Sequence, residues 1–173
     1  MIFLLKFTAM LLFFGGFICA GRFFASHYLK RAELIRDLML MLSVIKTRLR
    51  YDCLPVPELL RVLCGTDKLK NLHFISDCAE RLGKGEAFPV AWKNSVESDR
   101  EFCVLLDNCK AYLIQLGEDI GATDIEGQLG CCEYYEQFFE RELAIREENG
   151  KKYAKLYPSL GAMLGVAAAI III

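Results

Sequence analysis

A chain of 173 residues is long enough for one domain of ordinary size, and a hydrophobic share of 54% exceeds what the core of such a domain needs. With 21 basic and 22 acidic residues the formal net charge is −1, which excludes the clustered basic surface of a nucleic-acid binder. No nucleic acid is therefore expected as a partner.

The apolar excess lies at the two ends. Residues 7–21 are apolar apart from Thr8, and Ile2–Leu5 extend the run across Lys6. A helix over 2–21 is about 30 Å long, the thickness of a bilayer core, and is read as a transmembrane helix. A cleaved signal peptide is the rival, since Ile18-Cys19-Ala20 loosely resembles a cleavage site. Basic residues then gather at Arg22, Lys30, Arg31 and Arg36, against Lys6 alone on the far side, which favours a retained anchor. Gly16 and Ala20 lie one helical turn apart, a spacing that lets membrane helices pack closely.

Residues 22–155 read as a cytosolic helical bundle domain. Leu34, Leu38, Met41, Ile45 and Leu49 make an apolar stripe at spacings of three and four, predicting a helix to about Arg50. Pro55 and Pro57 end it and start a second helix, carrying Leu59, Leu60, Val62 and Leu63 and closing at Gly65. Thr66 or Asp67 is predicted to cap a third, with Leu69, Leu72, Ile75, Ala79 and Leu82 inside, ending at Gly83. A short helix around 87–96 holds the sole Trp, Trp92. Phe102, Leu105, Leu106, Cys109, Leu113 and Leu116 predict one further helix, ending at Gly117 or Gly121. Thr123 and Glu126 have the spacing of a capping box for the last helix. That helix pairs an apolar face (Leu129, Cys132, Tyr135, Phe139, Leu143) with a glutamate-rich one. No strand-like alternation of useful length occurs. The expected class is all-α, an antiparallel helical bundle flanked by an N-terminal and a C-terminal transmembrane helix.

The closing segment, 156–173, is uncharged and ends Ala-Ala-Ala-Ile-Ile-Ile-Ile. Its eighteen residues give about 27 Å as a helix, and it is read as the second transmembrane helix. Lys151, Lys152 and Lys155 precede it, so the positive-inside rule places the central domain in the cytosol, with both segments crossing away from it. Gly161, Gly165 and Ala169 recur every four residues, a second candidate surface for packing between membrane helices.

No catalytic pattern emerges. Gly83-Lys84-Gly85 lacks the rest of a phosphate loop, and neither GxSxG nor HExxH is present. The eight Cys contain no CxxC, and most lie among Leu, Val and Phe, where a free thiol behaves as a small hydrophobe. Neither enzyme activity, cofactor, metal nor small-molecule substrate is expected. The alternative from another class is a membrane-tethered thiol redox protein or sensor using some of these Cys, the vicinal Cys131-Cys132 included. The glutamates of the last helix read first as a solvated face. Their functional reading is a docking face for a basic partner, carried by Glu133, Glu136, Glu140 and Glu147, with Arg31 and Arg48 on the first helix also able to neutralise them internally.

Several segments together carry a resemblance. They are Arg50-Tyr51-Asp52, Leu54-Pro55-Val56-Pro57-Glu58-Leu59-Leu60, Glu86-Ala87-Phe88 with Ala91-Trp92, the run from Leu116-Gly117 to Gly121-Ala122-Thr123-Asp124, and Lys155-Leu156-Tyr157-Pro158-Ser159-Leu160-Gly161. In these, and in the flanking apolar segments, the chain resembles the stage III sporulation protein AB family of spore-forming bacteria over nearly its whole length. The resemblance implies a place in a channel-like apparatus between mother cell and forespore. It further implies similarity to the inner-membrane platform subunit of type II secretion machines. The implied partners are a cytosolic secretion-type ATPase of the same apparatus and other membrane proteins of the sporulation channel.

Overall fold

The computed structural model describes residue 16 and residues 29–172. The first helix, α1, covers 29–51 of these, and its expected stripe lies in its buried face: Leu38, Met41, Ile45 and Leu49 are at most 5% exposed and Leu34 is 9% exposed, with Ile35 and Leu42 fully buried beside them. Then follow α2 (Val56–Cys64), a 3-10 turn (Asp67–Leu69), α3 (His73–Gly83), α4 (Phe88–Ser98), α5 (Arg100–Leu105), α6 (Asp107–Asp119) and α7 (Ile125–Ile172). No strand occurs among the described residues, and the class is all-α. The described residues divide between two compact units, Arg31–Leu143 and one that contains residues 144–172.

Local chemistry accounts for most boundaries. Pro55 holds an extended backbone before α2, and Pro57 sits in the first turn, where a missing N–H costs least. Gly65 closes the helix as expected, its N–H reaching Arg61 O. Thr66 does not serve as a cap, because its hydroxyl donates back to Val62 O at 2.9 Å. The next segment therefore forms one 3-10 turn that buries Leu69, and Leu72, buried as well, stands directly before α3. Only then does α3 begin.

The helix predicted over Phe102–Leu116 is two helices. Leu106 leaves the helical region at φ −130°, ψ 40° and is fully buried. Asp99 caps α5 by accepting from Phe102 N–H at 3.0 Å, and the short polar pair Asp107-Asn108 restarts the chain as α6. Periodicity misses the break because Phe102 and Leu106 before it, and Cys109, Leu113 and Leu116 after it, feed the same core.

That core joins all the helices of the Arg31–Leu143 unit. Phe74 packs edge-on against Trp92 and Phe102, with centroids 5.3 and 5.6 Å apart. The Trp92 indole N–H donates to Leu113 O at 2.7 Å, tying α4 to α6. After Gly121, which turns the chain at φ +84°, α7 runs back along α6. Early Tyr112 stacks on late Phe138, and late Asp119 accepts from the Tyr135 hydroxyl at 2.7 Å, so this hairpin is antiparallel.

The cap of α7 differs from the predicted box. Asp124, not Thr123, supplies it, its carboxylate accepting from Gly127 N–H at 3.0 Å. The carboxylate reaches the third helical N–H from one residue later than the Thr would.

Among the described residues, no helix is long and apolar enough to cross a membrane. The predicted span 2–21 lies outside them except for Gly16, as do most side chains of 156–173.

Candidate partner-docking faces

The predicted docking residues separate into distinct environments. On α7, Glu136 is half-buried beside the core residues Cys132, Tyr135 and Phe139, and Glu133 lies one turn away at the surface. Their counter-charge is Lys46 of α1, whose Nζ donates to Glu136 at 2.6 Å and lies 3.8 Å from Glu133. The hydrogen bond to Glu136 holds the Lys46 ammonium above the ordinary lysine value; partial burial opposes the shift, and the charges of Glu136 and Glu133 add to it.

Arg31 and Arg48 are not brought to these glutamates. Arg48 pairs with Asp52, four residues on in its own chain, at 2.6 Å. The Arg31 Nε is buried with no hydrogen-bond partner among the described residues. Sequence reasoning passed over Lys46, and a signal for it existed. It directly follows the stripe residue Ile45, just as Glu136 directly follows the buried Tyr135. Each sits at the margin of a buried face, where two packed helices bring long side chains together.

Glu140 is exposed, with no ion pair among the described residues, and Glu147 belongs to the unit that contains Ala144–Ile173. Of the predicted membrane-packing residues, Gly16 is helical and open to its surroundings, and Ala20 lies outside the described residues. Gly161, Gly165 and Ala169 fall within α7, and their surroundings are outside the described residues.

A second polar group lies where α3, α4 and α5 meet. The Asp77 carboxylate accepts from Arg81 Nε and Ser98 Oγ, each at 3.0 Å. Burial works against its charge, but these hydrogen bonds and the Arg81 guanidinium outweigh it and hold the carboxyl below its ordinary value. An open cleft of about 500 Å³ beside it is also lined by His73, Ser95, Asp99 and Arg100. Its two guanidiniums, Arg81 and Arg100, are matched by two carboxylates, Asp77 and Asp99, so the cleft has no single charge preference.

Three of the seven described thiols lie in the core, while Cys53 and Cys64 are exposed. Cys78, Cys109 and Cys132 are fully buried, and burial pushes Cys78 and Cys132 up to about 12. Such thiols stay protonated at neutral pH and are poor nucleophiles. Cys131 is half-buried and also raised by burial, and Cys53 is exposed. No group of three or more His, Cys, Asp or Glu among the described residues is placed to hold a metal ion.

The described side chains thus define an all-α domain whose polar contacts cap helices and join them. Its family follows from the sequence as a whole: the chain belongs to the stage III sporulation protein AB family, whose sequence model matches residues 6–173. That membership gives it a role in sporulation. No curated protein and no solved structure matches the chain.

Proposed function

We infer that the chain is a non-enzymatic platform subunit of a secretion-like channel between mother cell and forespore. In this reading it docks a cytosolic secretion-type ATPase through exposed helix faces. Segments 2–21 and 156–173 anchor it in the mother-cell membrane around the forespore, with the helical domain facing the cytosol. The observation that carries the reading is the family match over 6–173, which takes in both apolar segments as well as the helical domain. The apolar runs and the flanking Lys and Arg residues support the anchoring and its orientation. Polar groups engaged in caps and in ion pairs between helices suit a scaffold. The thiol-redox alternative is weakened by the burial of Cys78, Cys109 and Cys132.

Carbonate extraction and protease accessibility of the full chain in membranes test the anchoring. The chain is expected to stay in the carbonate pellet, and its central domain to be cut only when the protease is on the cytosolic side. Release into the supernatant, or a protected domain, would overturn the reading.

A further inference from the structure

Three glycines lie inside helices of the Arg31–Leu143 unit, and the structure explains two of them. A Cβ on Gly117 would lie 2.1 Å from the Trp92 ring, and one on Gly127 would lie 2.7 Å from Thr123 Oγ1 and 2.9 Å from Asp124 Oδ1. Gly130 is different. It sits six residues into α7, it is exposed, and a Cβ there would meet nothing within 4 Å. Glycine at an exposed interior position costs a helix stability relative to alanine. No contact among the described residues offsets that cost.

The surroundings of Gly130 are patterned. Glu126, Glu133 and Glu140 recur at spacings of seven and are all exposed, so they form one line along α7. Gly130 and Gln137 alternate with them, giving a 4-3-4-3 seam on the face turned away from Cys132, Tyr135 and Phe139. Beside it stands Tyr134, 55% exposed although it packs edge-on against Tyr135. The short contact of Lys46 goes to Glu136, leaving Glu133 more than half exposed. The basic residue on this face is Arg141, and its Nε is turned to the carbonyl of Gln137 at 3.2 Å.

We propose that this seam is the docking site for a basic amphipathic helix of a protein partner, with Gly130 as the point of closest approach. A helix laid along α7 can bring its backbone close only where a side chain is missing. Lys or Arg side chains repeating every seven residues on the partner match Glu126, Glu133 and Glu140. The exposed Tyr134 ring offers a face for a cation or an apolar side chain beside them. The net negative charge of the seam favours a basic partner over a second copy of itself. This proposal rests on the platform reading above and identifies the face through which the ATPase is held.

The test measures binding of the purified ATPase to the full chain in lipid nanodiscs. The variants are Gly130→Leu, the triple Glu126→Lys, Glu133→Lys, Glu140→Lys, and Glu58→Lys on α2 as a control off the seam. Gly130→Leu favours the helix intrinsically, so unchanged or higher melting is expected alongside binding weakened by about tenfold or more. The triple variant is expected to lose a similar factor, together with most of the salt dependence of binding, and the control neither. Wild-type binding that both seam variants retain within about twofold would overturn this face while leaving the platform reading in place. No binding by wild type would overturn the platform reading and this proposal with it. A wild-type dimer that Gly130→Leu dissociates would make the occupant a second copy and overturn the proposal.

Discussion

Gly117 of α6 lies against the Trp92 indole so closely that no side chain fits between them: a Cβ would sit 2.1 Å from Cδ1 and 2.7 Å from Nε1. The same indole N–H donates to Leu113 O, one turn earlier on α6. The bare Gly117 backbone therefore lets the ring reach its acceptor. Gly117→Ala is expected to destabilise the domain by about 1–3 kcal/mol through overpacking, despite its better helix propensity. Trp92→Phe, which removes the donor and leaves a void, is expected to cost a similar amount. Urea unfolding of both variants measures this, and an unchanged midpoint for Gly117→Ala would show that α4 and α6 do not meet so tightly.

Both residues stand out in the sequence, but separately. Trp92 is the lone Trp of a short helix, and Gly117 marks the end of another in the pattern Leu-Gly-x-x-Ile-Gly. Periodicity shows which face of a helix is apolar; it does not show which residue on a second helix faces it. The buried stripe of α1 and the apolar face of α7 were legible for that reason, whereas the Trp92–Gly117 contact was not. The break at Leu106 stayed hidden because residues on both sides of it are buried.

The Lys46–Glu136 pair joins α1 to α7 across 90 residues of sequence. A double-mutant cycle of Lys46→Met with Glu136→Gln is expected to give a coupling of about 1 kcal/mol. Glu133→Gln, at the longer 3.8 Å distance, is expected to change little. The Lys46 value is raised on folding, so its contribution is fully present below the ordinary lysine value of 10.5 and fades as pH rises through the folded value. The stability gap between wild type and Lys46→Met should therefore be flat near neutral pH and narrow in strong alkali. A gap that already narrows between neutral pH and about pH 9 would point to another group.

The start of α7 separates two capping schemes with identical sequence support. If Asp124 is the cap, Asp124→Ala should cost about 1 kcal/mol, while Glu126→Gln is nearly silent. A Thr123–Glu126 box requires both of those residues to matter. Thermal melting of Asp124→Ala, Thr123→Ala and Glu126→Gln distinguishes the two. Spacing alone could not choose between them because Thr and Asp, both good caps, stand side by side.

Thiol reactivity should follow burial. Brief alkylation of the native protein at neutral pH is expected to modify Cys53, which is exposed, well before Cys78, Cys109 or Cys132. Peptide mapping reads the order directly. Rapid native labelling of Cys132 would mean that the seam between α1 and α7 opens, and would revive a redox role for the vicinal pair.

Holding a cytosolic ATPase at a membrane is the central role proposed for this chain. The most direct measurement of it is co-flotation of the purified ATPase, at physiological salt, with liposomes that carry the full-length chain. The ATPase is expected to rise with these vesicles and to stay at the bottom of the gradient with protein-free ones. An ATPase that stays at the bottom in both cases, in every nucleotide state, would contradict that role.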